Sequence, residues 1–166
     1  ELIRVDRAAG GIVVKAQNQL QNKRSRDYYQ QSADLSQGEM YLSTITLNRE
    51  YGKLEFPYKP MLRISLPIFN DDMERYGLII ANINIKLLFN SLNTMVQRPN
   101  SLILTDSKGY FLIHPNSDLE FSRDLMPTKR WDTVYKSEPT THTKLMSISA
   151  NTIGEKPSEA LSKRIS

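Results

Sequence analysis

Apolar and polar residues change period several times along the chain, and each change predicts a different element. The clearest signal lies in the middle. In "MLRISLPIF" (61–69), Leu62, Ile64, Leu66 and Ile68 share one face, with Arg63 and Ser65 on the other. That is the period-two pattern of a strand. Pro67 falls on the polar face, where a strand end or bulge accommodates it. "YGLIIANINI" (76–85) alternates as well, with Ile79, Ala81, Ile83 and Ile85 opposite Leu78, Ile80, Asn82 and Asn84. The polar "NDDMERYG" between the two runs predicts a hairpin loop and an antiparallel pair. In "IKLLFNSLNTMV" the period lengthens. Phe89, Leu92 and Val96 form a helical stripe that Pro99 stops.

The flanks carry weaker patterns. "ELIRVDRAAGG" predicts a short strand and a turn at Gly10–Gly11, and residues 12–16 a second short strand or a lead-in. "NQLQNKRSRDYYQQSADL" is polar and almost free of breakers. It predicts a helix, or two short ones, around Leu20, Tyr28 and Leu35, ended by Gly38. "EMYLSTITL" is rich in β-branched and aromatic residues and predicts a strand, followed by a turn at "NREYGK" and a stiff "PYKP" loop. "SLILTDSKGYFLIHP" predicts a second hairpin turning at Asp106–Gly109. After residue 115 the pattern fades to a helical turn in "FSRDLMPTKRW", an irregular 137–157, and a short helix in "SEALSKRI" capped by Ser158. A shift in composition near Gln97–Ser101 divides the chain into a module over 1–98 and the start of another over 99–166.

Composition narrows the function classes. The 166 residues are 39% hydrophobic, enough for a modest core. The net charge of +4 is spread among nearly as many acids, and no basic stripe points to nucleic acid. The absence of cysteine removes disulfides, thiolate metal sites and cysteine nucleophiles. No apolar run is long enough to span a membrane, and no signal peptide is visible. The start inside a strand and the polar end read as a fragment cut at both ends.

Candidate chemistry is sparse. His114 and His142 are the only imidazoles and stand in no metal-binding spacing, and His114 before Pro115 reads as a turn histidine. There is no nucleophile elbow, phosphate loop or calcium loop. No catalytic residue, metal or cofactor is therefore expected. "RSRDYY" (24–29) is the exception. A guanidinium presents a planar fork of donors to a carboxylate, and neighbouring rings wall a pocket. The same residues also suit a plain helix end with solvated charges and tyrosines half buried on the sheet.

The order of segments resembles the extracytoplasmic double Cache sensor domains, also called PDC or PAS-like domains, over about residues 1–125. "LIRVDR" with "GG", the stretch from "LQNKRSRDYY" to "NREYGK", and "PMLRISLPIF" with "YGLIIANINIKLLF" match the membrane-distal module. "SLILTDSKGYFLIHPNSDLEFSRDL" is similar to the opening of the membrane-proximal one. The resemblance implies an α+β fold: a PAS-like antiparallel sheet flanked by helices, truncated at its N-terminus, with the start of a second PAS-like module. It implies a non-catalytic ligand sensor on the periplasmic or extracellular side of the inner membrane. The parent would be a membrane-anchored, homodimeric histidine kinase or diguanylate cyclase, dimerising through a long N-terminal helix absent here.

In the amino-acid-binding branch of that family, an arginine and two aromatics hold a ligand carboxylate. Arg26, Tyr28 and Tyr29 fall on those positions. A tyrosine five residues earlier is replaced here by Gln21, and the aspartate that grips the ligand ammonium by Asn84. Loss of that carboxylate removes the charge-assisted partner of an amine. The expected partner is thus a small organic acid or another non-amine ligand, held by Arg26, Tyr28, Tyr29 and Asn84. The alternatives left open are a structural or protein-binding module with no small ligand, and a small hydrolase.

Overall fold

A computed structural model describes residues 1–96 and 100–135. The irregular stretch and short helix expected after residue 136, and the helix stop at Pro99, lie outside the described residues.

The chain starts with a hairpin, β1 (Val5–Ala8) and β2 (Gly11–Val14), closed by Gly11 at φ 121°. A single 3-10 turn at Gln17–Gln19 follows, then α1 (Asp27–Gln31). The long polar stretch is helical only in these two pieces. It has few apolar residues to bury, and a short isolated helix is marginal without packing.

The predicted strand 39–47 is split into β3 (Tyr41–Leu42) and β4 (Thr46–Leu47). Ser43 causes the break. Its N–H donates to the Arg63 carbonyl, and its hydroxyl accepts the Arg63 N–H, so a side chain replaces one rung of the ladder. The "NREYGK" turn is a small hairpin of its own, β5 (Arg49–Glu50) and β6 (Lys53–Leu54). Tyr51 and Gly52, at φ 50° and 81°, supply the two positive φ values of a type I′ turn.

The expected antiparallel pair is present at full length as β7 (Pro60–Phe69) and β8 (Arg75–Asn84). β7 is the centre of the sheet. β3 and β4 share one of its edges and β8 takes the other, with a register shift between Ile68 and Phe69. β3 reaches no farther than Ser65, so Pro67 sits where that edge of β7 carries no partner strand.

Register decides what each face meets. Met61, Arg63 and Ser65 stand opposite Asn84, Asn82 and Ile80, and α1 packs against β3 and β7. The polar row of β7 is thus the buried one. The apolar row opens outward at Ile79 and Ile83, which are 57% and 41% exposed.

α2 (Lys86–Met95) follows β8 directly and buries Phe89. The second hairpin, β9 (Leu104–Thr105) and β10 (Phe111–Ile113), is shorter than the sequence suggests. Asp106 shapes its turn by accepting the N–H groups of Lys108 and Tyr110. α3 (Ser122–Leu125) and α4 (Trp131–Val134) complete the described chain. The main core joins Ile85 and Phe89 to Leu112 and Ile113, with Phe121 packed on it.

Asp124 ties the later elements to the sheet. Its carboxylate accepts the Leu47 N–H at 2.7 Å and an Arg49 N–H at 3.4 Å. Asp124→Ala would strand the Leu47 amide beside a buried side chain, at a cost of about 1–3 kcal/mol. Asp124→Asn keeps an acceptor and should lose clearly less. Urea unfolding of the two variants checks this, and equal losses would refute it.

Candidate functional site

The "RSRDYY" stretch forms the start of α1. Arg26 caps it with an extended backbone, φ −78° and ψ 138°, and its carbonyl accepts the Tyr29 and Gln30 N–H groups. The Ser32 hydroxyl donates to the Tyr28 carbonyl at 2.6 Å and closes the last turn. This fixes which way Arg26, Tyr28 and Tyr29 point.

Tyr28 points down onto the sheet and is 5% exposed. The Arg26 guanidinium lies 5.9 Å from its ring centroid and that of Arg63 5.2 Å, both in cation–π range. The Arg26 Nε is buried and has no hydrogen-bond partner. Arg26 also lines a cleft of about 380 Å³, together with Gln21, Lys23, Arg49 and Tyr51. Tyr29 lines a different cleft of about 290 Å³, with Arg75 and Tyr76. Asn84 stands across from Met61, at the end of β8. It is exposed, and its Oδ1 accepts the Lys86 N–H at the start of α2. So the fold brings Arg26 and Tyr28 together, sends Tyr29 to a different cleft, and engages Asn84 with the backbone of α2.

Two residues at this site were not picked out from sequence. Arg63 is 3% exposed and Ser65 fully buried, and both face α1 from the centre of β7. A signal was available: a charged residue in the middle of a strong strand, two positions from a serine, beside an aromatic-rich helix. Burial pulls the Arg63 guanidinium below its ordinary pKa; the nearby Arg26 charge adds to this, and Tyr28 opposes it. Burial likewise raises the Tyr28 phenol above its ordinary value, against the pull of the two arginines.

A polar network holds the floor of the Arg26 cleft. Glu50 accepts hydrogen bonds from Arg4 at 2.9 and 3.1 Å, from Asn48 at 3.1 Å, and from the Gln21 amide. Gln21 also accepts from Lys23 at 2.7 Å. Gln21 is therefore a strut between the loop before α1 and the β5–β6 hairpin. Chemically, the site offers guanidinium donors beside an aromatic ring and suits a small anion. Among the described residues, no group of three or more His, Cys, Asp or Glu is placed to hold a metal ion.

Residues 1–155 match the family model described as the sensor domain of bacterial histidine kinases. Three solved structures share the fold. One is an extracellular domain assigned to the histidine kinase vpHK1S-Z8, 23% identical, with a TM-score of 0.66, covering 81% of this chain and 48% of that one. Another is a domain assigned to a sensory box/GGDEF family protein from Vibrio parahaemolyticus, 21% identical, with a TM-score of 0.66, covering 81% and 51%. The third is the periplasmic sensory domain of the Campylobacter jejuni chemoreceptor Tlp1, 17% identical, with a TM-score of 0.54, covering 78% and 43%. At these identities the likeness speaks for the fold, and the α+β, antiparallel Cache-type architecture is the one expected from sequence. The chain spans about half the length of these structures. No curated protein matches it. The match of the family model along nearly the whole chain decides the assignment: the chain belongs to the bacterial histidine kinase sensor domains.

Proposed function

We propose that this domain is the extracytoplasmic sensor of a membrane-anchored receptor and binds a small organic acid at the Arg26–Tyr28 cleft. The observation that carries the reading is the buried, unpartnered Nε of Arg26 at the wall of a cleft whose other cations are Lys23 and Arg49. Lys23 lies 3.7 Å from Glu50 and Arg49 pairs with Asp124, whereas among the described residues no carboxylate pairs with Arg26. A carboxylate accepts from such a fork in a charge-assisted bond. Tyr28 packs beside the Arg26 guanidinium, and Tyr29 lines a separate cleft. Asn84, exposed and bonded to the Lys86 N–H, stands outside this cleft, so the reading as an acid site rests on its cations Arg26, Lys23 and Arg49.

The receptor is a homodimer with a histidine kinase or diguanylate cyclase output, and the chain divides into modules at 1–98 and 99–166. Ligand closes α1 onto the sheet. The bias passes along β8 into α2 and the Phe89 core, and shifts the receptor between two states in proportion to its differential affinity for them.

Thermal shift of the full chain against a panel of organic acids and amines tests this. At least one acid should raise the melting midpoint increasingly with concentration, as mass action requires. Arg26→Ala should weaken that acid roughly tenfold to a hundredfold, the loss of one charge-assisted contact. A panel with no stabilising acid, or an Arg26→Ala response equal to wild type, would leave the site a packing feature of a structural or partner-binding module.

A further inference from the structure

The walls of the Arg26 cleft are the loop before α1 and the tip of the β5–β6 hairpin, and one aromatic side chain joins them. Tyr51 stands at that tip, in the left-handed region at φ 50°. Its N–H donates to Gln21 Oε1 at 3.0 Å, and its hydroxyl donates to the Gln19 carbonyl at 3.3 Å. Both acceptors belong to the opposite wall, so the ring between these contacts spans the opening. The residue is still 70% exposed, which leaves most of the ring uncovered by the protein. A ring held at both ends and left bare offers a stacking surface. Leu20 adds a partly exposed apolar side chain to the same cleft, and Gly52 adds none.

Charge sets the other end of the cleft. Of its three cations, Lys23 lies 3.7 Å from Glu50 and Arg49 lies 3.4 Å from Asp124. Among the described residues no acid pairs with Arg26. Gln21 has both ends of its amide engaged, the nitrogen with Glu50 and the oxygen with Lys23 and Tyr51. One positive charge thus stays unanswered at one side, and an aromatic ring stays bare at the other. The volume of about 380 Å³ falls in the roughly 300–1,000 Å³ range of small-molecule sites.

We infer that Tyr51 is a specificity-determining residue of the Arg26 cleft, and that the ligand is a singly charged acid with a flat apolar tail, such as an aryl carboxylate. Its carboxylate meets the Arg26 guanidinium, and its tail lies between the Tyr51 ring and Leu20. The inference rests on the reading of the Arg26 cleft as an acid site and adds to it the tail, the single charge and the residue that selects them.

Titration calorimetry of the full chain with phenylacetate, acetate and succinate tests it. Wild type should bind phenylacetate on the order of tenfold more tightly than acetate, and succinate should gain nothing comparable. Tyr51→Asn removes the ring and keeps a residue that tolerates the left-handed backbone. It should bring phenylacetate to the level of acetate and leave acetate nearly unchanged. Tyr51→Phe keeps the ring without the hydroxyl and should retain most of the preference. Loss of the preference in Tyr51→Phe as complete as in Tyr51→Asn would assign it to the hydroxyl and overturn the stacking role. Succinate binding more tightly than phenylacetate would overturn the single charge and flat tail. An unchanged phenylacetate-to-acetate ratio in Tyr51→Asn, with both acids lost in Arg26→Ala, would overturn the role of Tyr51 and leave the acid site standing. Binding that survives Arg26→Ala, or no binding of any of the three probes, would overturn both.

Discussion

Phe111→Ala should lower the free energy of unfolding by about 3–5 kcal/mol, the loss expected when a large buried aromatic is truncated. The Phe111 ring is entirely buried, the largest such side chain in the described fold. It meets His114 and Tyr135 edge-on, with centroids 4.9 and 6.1 Å away. Its N–H donates to the buried Ser122 hydroxyl, so α3 clamps the strand from the backbone side. These neighbours come from three different stretches and have little freedom to collapse into the space. The adjacent Leu112 and Ile113 belong to the core that receives α2, so the damage should not stay local. Urea unfolding followed by circular dichroism measures the loss. A change below about 1 kcal/mol would show that the second hairpin adds little to the stability of the domain.

The second large effect is an acid sensitivity centred on Glu50. Burial alone would raise this carboxyl, but hydrogen bonds from Arg4, Gln21 and Asn48, with the charge of Lys23, outweigh it and hold the pKa at about 2 against an ordinary 4.5. A carboxyl held down in the folded state stabilises the protein at pH values above its unfolded pKa. That contribution drains away as pH falls from about 4.5 through about 2. With a side chain one-quarter exposed, its size is on the order of 2 kcal/mol after allowance for solvent screening. Asp6, held low first by its hydrogen bond from Arg4, acts in the same direction. Glu50→Gln should therefore be less stable than wild type at pH 7 by about that amount, and the two should converge toward pH 2. Urea midpoints at pH 7 and pH 3 give the comparison. Parallel pH slopes for the two proteins would remove Glu50 as the anchor of the network. The consequence reaches the site, because Glu50 fixes Gln21 and, through it, the loop that carries Arg26.

The long alternating runs were legible because their signal is dense. The alternation of Leu62, Ile64, Leu66 and Ile68 in β7 and the β-branched run Leu78–Ile85 in β8 predict strands, and the polar loop between them predicts their pairing. The Phe89–Leu92 stripe of α2 is equally direct, since three apolar residues at helical spacing have one way to share a face. The stretch 39–47 was less legible. Its residues favour a strand throughout, and the break at Ser43 comes from a hydrogen bond to Arg63, twenty positions away. The helix expected in the polar segment shrank to Asp27–Gln31 because propensity without an apolar face does not hold a helix.

The site divides the same way. Residue type and spacing were enough to mark Arg26 and Tyr28 as a guanidinium beside a ring, and the structure has them within cation–π distance. Tyr29 is next in sequence yet lines another cleft, because adjacent residues on a helix point about 100° apart. The face of Asn84 was open in the sequence, since alternation yields two rows without saying which is covered. Register with Met61 answers that, and the Lys86 N–H explains what its amide oxygen does.

By itself, then, the sequence determined the paired strands, the helix after them, the sensor-domain family and the arginine–tyrosine pair at α1. Each depends on local period or on residue type at close spacing. Only the tertiary structure decided that the polar row of β7 lies buried while the apolar face opens at Leu66, Ile79 and Ile83, which placed Arg63 beneath Tyr28 and Ser65 on the same face. Local physics predicts the reverse, because an isolated strand would bury its isoleucines. The arrangement follows from α1 packing on the other face, and it leaves a buried charge in the sheet that pairs with no carboxylate among the described residues.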